Sequence, residues 1–324
     1  MDNPILHDSH LAPVIDPDYR EYLPPTLSRR SGKLLKRALV VSRSVIEAAG
    51  TGCPDAILTG TGFGCVENTE AFLEAMTYEG EACLKPTAFM QSTHNTIGSL
   101  IAIDTHCHGY NSTYTHKGTS FECAFMDAYM QITRGQATTA LVGGYDELTP
   151  HYYSMLSRTG YMGPASGCMG GEAAVSMMLC GNTGNRQPLC RVEGIELHYG
   201  STLDGLGDAL QRLTEGAGCT LSSIDAVMTG LNGNAANDAA YRSAARVLFP
   251  DTHILMYKHI FGEIRTSAGL AVYASATCLS KGRIPSFLSV GGGSAGSEHG
   301  GVQRILLYNH CENRAHSLIL LSSC

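Results

Sequence analysis

Few side chains in this sequence stand at spacings that could do chemistry. The densest cluster is His106-Cys107-His108, two imidazoles and a thiol, which are ligand types of a zinc site. Adjacent residues on a helix end point in different directions, so these three cannot close one tetrahedral site, and no metal site is expected. Cys107 keeps a separate reading as a reactive thiol. Cys123 lies in a helical pattern, where a small buried hydrophobe is the ordinary role. Gly60-Thr-Gly-Phe-Gly64 departs from the GxGxxG spacing of a dinucleotide loop, and Gly291-Gly-Gly-Ser-Ala-Gly296 lacks the Lys-Ser/Thr that follows a phosphate cradle. No organic cofactor is therefore expected. His94 and Asn95 open a helix, where capping by Thr93 accounts for them.

Composition narrows the classes. The 324 residues allow one large α/β unit or two closely packed halves. With 44% hydrophobic residues, 16% charged and 37 glycines, the chain is globular and not disordered, fibrous or coiled-coil. A net charge of −7 offers no footprint for nucleic acid. No apolar run approaches the roughly 18 residues of a membrane span, and the start lacks the pattern of a signal peptide. Twelve cysteines without a CxxC pair then point to reduced thiols in a cytoplasmic protein.

The elements that must position these residues alternate. Leu34, Leu35, Ala38, Val41, Val45 and Ile46 recur at helical spacing over Lys33 to Ala49, with Gly50 as the stop. A buried strand is predicted over Asp55 to Gly60, helices over Glu67 to Met76 and Thr93 to Cys107, and a strand over Asn111 to Thr115. A helix over Ser120 to Thr133 and a strand over Ala137 to Val142 follow, the strand ending in Gly143-Gly144. Strands separated by helices argue for an α/β sheet architecture.

An internal repeat is visible. Asp55-Ala-Ile-Leu-Thr-Gly60 is echoed by Asp225-Ala-Val-Met-Thr-Gly230, and the small-residue helix around Gly98 by that around Gly269, at nearly the same offset. The strands near Leu141 and Leu320 are read as the corresponding last strands of the two halves. The expected fold is a duplicated, layered αβαβα architecture of thiolase type. Residues 1–25 are expected to form an arm, 26–185 the first half and 186–324 the second.

The segment from Gly109 to Glu147 resembles a β-ketoacyl synthase. Tyr110-Asn-Ser-Thr-Tyr114 stands for the strand before the nucleophile elbow, and Leu141-Val-Gly-Gly-Tyr-Asp-Glu147 for an "AGGAE"-type strand end. Gly170-Gly-Glu-Ala-Ala174 resembles the "GEGA" strand, Ile224-Asp225 with Asn237-Asp238 frames the "HGTGT" region, and Lys258 with Gly262 matches "KxxxGH". Ketosynthases begin with a buried strand that residues 1–20 supply, if at all, near Ile5 and Leu6.

The resemblance implies that the chemistry has been removed. A ketosynthase places a cysteine at a helix N-terminus, where backbone N–H groups activate it, and two histidines that stabilise an enolate. The position matching the cysteine is Gly118. The positions matching the histidines are Gly230 and Glu263, and Lys258 is retained, with an ion pair expected between Lys258 and Glu263. What is implied is a catalytically degenerate subunit of chain-length-factor type, similar to those of bacterial aryl-polyene, flexirubin and dialkylresorcinol clusters. It would pair with an active ketosynthase as a heterodimer, or with itself, with acyl carrier protein docking on the pair. The strand Asn111 to Thr115 would lie at the interface, and Phe89, Phe125 and Met126 would line an acyl tunnel unless they simply pack in the core. The alternatives are an active acyltransferase or divergent 3-oxoacyl carrier-protein synthase using Cys107, whose Asp104-Thr-His-Cys107 context superficially resembles an elbow, and a homodimeric scaffold binding carrier protein or lipid.

Overall fold

The computed structural model describes residues 10–80, 84–184, 186–291 and 299–324. Leu34, Leu35 and Ala38 are buried on one face of helix α1 (Lys33–Ala49), which Gly50 ends in the left-handed conformation at φ 56°. Strand β1 (Ala56–Gly60) is followed by α2 (Val66–Tyr78), α3 (Pro86–Ser92) and α4 (Thr96–Thr105). Then come β2 (Tyr110–Tyr114), α5 (Ser120–Thr133), β3 (Thr139–Asp146) and β4 (Ala173–Cys180). The chain continues through β5 (Arg191–Tyr199), α6 (Leu203–Gly216), β6 (Ala226–Thr229), α7 (Ala235–Leu248) and β7 (His253–Met256). Helix α8 (Ala268–Lys281) and strands β8 (Arg304–Cys311) and β9 (Ala315–Ser322) complete it.

Among the described residues two larger sheets form, in the orders β2-β1-β3-β4 and β5-β9-β8-β6-β7, beside two short two-stranded pairings. Strand β1 pairs parallel with β2 and β3 while β3 pairs antiparallel with β4; β6, β7, β8 and β9 repeat this pattern. The facing positions explain the layers. Ala56 and Leu58 of β1, and Ile305 and Leu307 of β8, join residues of α5 and α8 in one central cluster. Ile57 and Leu141 instead pack outward under α1 and α4, and Val227 and Leu306 pack outward under α6 and α7. Both faces of each central strand are therefore buried, which is why these strands read as unbroken apolar runs. The order helix, sheet, paired helices, sheet, helix is the expected αβαβα duplication.

The repeat is physical at its first match. Asp55 accepts backbone N–H bonds from Thr138 and Thr139 at the start of β3, and Asp225 accepts them from Gln303 and Arg304 at the start of β8. The second match does not hold. Helix α8 lies between β7 and β8, so its counterpart is α5, between β2 and β3; the Gly98 helix lies between β1 and β2, where the second sheet has α7. Gly98 and Gly269 look alike because both helices press onto a neighbour: a Cβ would meet Asn111 Oδ1 at 2.9 Å in one case and Val175 Cγ1 at 2.6 Å in the other. Leu141 and Leu320 do not correspond either, since Leu141 lies on β3, whose counterpart is β8, and Leu320 on β9, whose counterpart is β4.

Other expectations are adjusted in detail. Strand β3 runs on through Gly143-Gly144 to Asp146, and the helix expected from Thr93 begins at Thr96. The described part of the N-terminal segment is pinned to the body. Leu11–Ala12 pairs with Gly170–Gly171, and Arg37 is bonded at once by Asp16 and by Glu172. Ile5 and Leu6 lie outside the described residues. Among the described residues no strand in the first sheet occupies the place that β5 holds beside β9.

Candidate functional site

The site is built where the two sheets deliver their strand ends. After β2 the chain makes a single tight turn, Lys117–Thr119, before α5. Lys117 takes φ 52°, a left-handed conformation uncommon for a residue with a side chain, and so aims Gly118 at the end of β8. A Cβ on Gly118 would stand 3.2 Å from both Cβ and Sγ of Cys311. A side chain at this turn would press on a thiol from the other sheet, which would have to give by a few tenths of an ångström.

Lys258 opens the turn after β7, and the loop that follows is held by backbone bonds. Glu263 N donates to Met169 O at 2.7 Å, and Gly171 N donates to Glu263 O at 3.0 Å. This brings Glu263 back over Lys258, and Lys258 Nζ lies 2.7 Å from Glu263 Oε2 with both side chains buried. Asn232 Nδ2 donates to the same oxygen at 2.7 Å. Burial alone would drive the Lys258 ammonium toward neutrality; the Glu263 carboxylate, with Tyr257 and Tyr241 nearby, outweighs it and holds the lysine charged.

Gly118, Lys258 and Glu263 line one cavity of about 320 Å³, together with Asn232, Arg265 and Cys311. Gly230 does not line it. A side chain there would collide with the Tyr241 hydroxyl and stand 2.8 Å from Asn309 Oδ1. The Tyr241 hydroxyl is itself fixed, donating to Asn309 Oδ1 at 2.8 Å and accepting from His310 N at 3.0 Å. Asn309 in turn donates to Glu122 Oε1 at 2.6 Å, in the first turn of α5. Burial pushes the Glu122 carboxyl up, and its Oε2 has no hydrogen-bond partner.

The sequence reading missed Arg265, Cys311, Asn309 and Tyr241. The Arg265 guanidinium stacks 4.4 Å from the centre of the Tyr161 ring, and its Nη1 reaches Cys311 Sγ at 3.8 Å. His310 lines the same cavity beside Cys311, but both its ring nitrogens are engaged elsewhere. Tilted against the Tyr241 ring at 4.2 Å, it places Nε2 on Asn237 O and accepts at Nδ1 from Asn313 N, so neither nitrogen is free to take the Cys311 proton. Its pKa is pushed down to about 3, first by burial and then by the Lys258 charge. The available signal was the break from apolar to polar at the end of β8, in Asn309-His310-Cys311.

The other candidates lie elsewhere. Cys107 is buried beyond α4, its Sγ donating to Pro54 O at 3.1 Å, away from the residues that line the cavity. Cys123 is half-buried, and burial pushes its thiol up to about 11. The Gly60–Gly64 loop is a nest of amides already filled from within: Gly62, Phe63 and Gly64 all donate to the buried Asp146 carboxylate. Of the Gly291–Gly296 run only Gly291 is described; the cavity is lined instead by the turn between β8 and β9, through Cys311, Glu312 and Asn313. Phe125 packs in the central core and Phe89 is exposed, and neither they nor Met126 line this cavity. Among the described residues no group of three or more His, Cys, Asp or Glu could hold a metal ion, and no helix is long and apolar enough to cross a membrane.

Duplicated sheets around two buried helices, with a site where the elbow meets the second sheet, define a thiolase-type fold of the ketosynthase class. The family model "Beta-ketoacyl synthase, N-terminal domain" matches residues 7–192, more than half of the chain, and the chain belongs to that family. No curated protein sequence matches it. Among solved structures it is similar to the ishigamide ketosynthase/chain length factor, at TM-score 0.83 and 16% identity, over 96% of this chain and 87% of that one. A β-ketoacyl synthase from Burkholderia phymatum STM815 superposes at TM-score 0.82 and 16% identity, covering 98% and 90%. The ketosynthase ApeO in complex with its chain length factor ApeC, from Xenorhabdus doucetiae, gives TM-score 0.76 and 16% identity, covering 97% and 86%.

Proposed function

We propose that this protein is a catalytically degenerate ketosynthase-like subunit of chain-length-factor type. It pairs with an active β-ketoacyl carrier-protein synthase in the cytoplasm, receives acyl carrier protein on the pair, and serves fatty-acid or polyketide-type synthesis of polyene pigments. The division into an arm (1–25) and two halves (26–185 and 186–324) belongs to the same reading.

The observation that carries it is the absence of a nucleophile at the elbow position. Gly118 offers no attacking atom, and the space beside it holds Cys311 and Arg265. Decarboxylative condensation also needs two neutral donors facing the developing enolate. Here one matching position is Gly230, closed off by Tyr241, and the other is a carboxylate already spent on Lys258 and Asn232. An anion at that point opposes enolate formation. Two solved structures with this fold are described as a ketosynthase/chain length factor and as a ketosynthase with its chain length factor, which supports the choice of partner.

The test is co-expression with an active ketosynthase from the same organism. A one-to-one complex that elongates an acyl chain from malonyl carrier protein, with the isolated chain inactive, is the expected result. Elongation by this chain alone overturns the reading. A second reading, an acyltransferase with a displaced thiol, is favoured by the Cys311–Arg265 contact more than by Cys107. Intact mass after exposure to an acyl thioester separates the two thiols: an adduct lost in Cys311→Ser supports transfer at the cavity, and one lost in Cys107→Ser supports transfer outside it.

A further inference from the structure

Cys53 and Cys107 come from different loops and meet at one oxygen. Cys53 lies in the loop between α1 and β1, and Cys107 in the loop between α4 and β2. Cys53 Sγ donates to Pro54 O at 3.4 Å, and Cys107 Sγ donates to the same oxygen at 3.1 Å. The Cys53 thiol is pushed up first by burial and then by the Cys107 thiol. The two loops approach closely: a Cβ on Gly109, two residues after Cys107, would collide with Asp55 O, two residues after Cys53. One member of the pair is exposed and the other only 8% accessible, so an oxidant in solution reaches Cys53 first and Cys107 stands behind it.

We propose that Cys53 and Cys107 are a redox-reversible pair that closes to an intramolecular disulfide under a peroxide oxidant. In the minor fraction of molecules that carry the exposed Cys53 as thiolate, its proton lost to water, the sulfur attacks one peroxide oxygen; that fraction grows as pH rises. The O–O bond breaks, Cys53 becomes a sulfenic acid, and the other oxygen leaves as hydroxide, which takes up a proton to become water. Cys107 sulfur then attacks the Cys53 sulfur; the S–S bond forms, the S–O bond breaks, and a second water leaves with the Cys107 proton. Two electrons pass from the thiols to the peroxide, and a dithiol reductant reverses the change. The cross-link would tie the loop entering β1 to the loop entering β2, the edge strand of the first sheet. This inference does not rest on the proposed function.

The experiment treats the native full-length chain with hydrogen peroxide, followed by intact mass and a non-reducing peptide map. Expected are a loss of about 2 Da, the two thiol hydrogens, and two fewer free thiols among the twelve cysteines. A cross-linked peptide joining Cys53 to Cys107, cleaved by dithiothreitol, completes the expected result. Cys53→Ser, at an exposed position, should remove all three signs without altering the fold. In Cys107→Ser, Cys53 should instead be trapped by a sulfenic-acid reagent. No mass loss in the wild type, a cross-link confined to other cysteines such as Cys190 and Cys324, or a loss that persists in Cys53→Ser overturns the proposal.

Discussion

At the scale of residues, the site stores its electrostatics in one buried pair. Lys258 and Glu263 are desolvated together, so their attraction offsets a cost that either alone would bear unopposed. Lys258→Ala strands a carboxylate and should lower unfolding free energy by about 3–5 kcal/mol in urea titrations. Lys258→Met combined with Glu263→Gln should recover most of it, because the amide oxygen still accepts from Asn232. His310 supplies a second residue-scale prediction. Its folded pKa is about 3, whereas an unfolded histidine titrates near 6.5. The unfolded chain therefore binds the proton first as pH falls, and stability drops from about pH 6.5 toward 3, with a limiting slope of about 1.4 kcal/mol per unit. His316, also pushed down by burial, acts in the same direction. Glu147 opposes them, since burial lifts its carboxyl to about 7 and the folded state binds that proton first between pH 7 and its ordinary 4.5. The measurable quantity is thus a difference: His310→Asn should flatten the wild-type fall in urea midpoint between pH 6.5 and 4.5, and an unchanged pH dependence would contradict the buried neutral imidazole.

At the scale of elements, legibility followed the range of the forces involved. Helix α1, strand β1 and helix α5 could be read because local periodicity and stop residues decide them, and the Asp55/Asp225 match could be read because the same brace recurs at the same strand start. The Gly98/Gly269 match misled because close packing selects small residues wherever a helix presses on a neighbour, whatever its place in the topology. Gly118, Lys258 and Glu263 could be brought to one cavity through family motifs, but Tyr241 and Cys311 could not. They reach Gly230 and Gly118 from α7 and β8, and nothing local to their own segments announces the contact. The same distinction gives a prediction. Gly269, at the start of α8, has Val175 and Phe121 against it, so Gly269→Ala should cost about 1–3 kcal/mol by overpacking in spite of its better helix propensity. Gly216, at the end of α6, has nothing within 4 Å of a new Cβ, so Gly216→Ala should stabilise by roughly 0.5–1 kcal/mol. Thermal or urea unfolding of the two variants must give opposite signs if close approach, rather than glycine's flexibility, is what α8 requires.

At the scale of the whole molecule, the unfinished surface lies beside β2. This strand is the edge of the first sheet, bonded to β1 on one side only, and edges of this kind need covering. Exposed apolar side chains lie on β2 itself at Tyr110, on α4, which packs on β2, at Ile103 with 72% accessibility, and on α3, which packs on α4, at Phe89 and Met90. Isolated exposed hydrophobes are ordinary, but several on adjoining elements near an open edge are what the proposed pairing needs on the isolated chain. Under the proposed function that partner is the active ketosynthase. Ile103→Asp puts a charge where the isolated chain meets only water, so its unfolding free energy should change by no more than about 0.5 kcal/mol. In the complex the same charge would be buried against apolar surface, and binding to the co-expressed ketosynthase should weaken by at least about tenfold. Native mass spectrometry across a dilution series reads the second effect and urea unfolding of the isolated chain the first. Equal affinity of wild type and variant would remove this face from the interface.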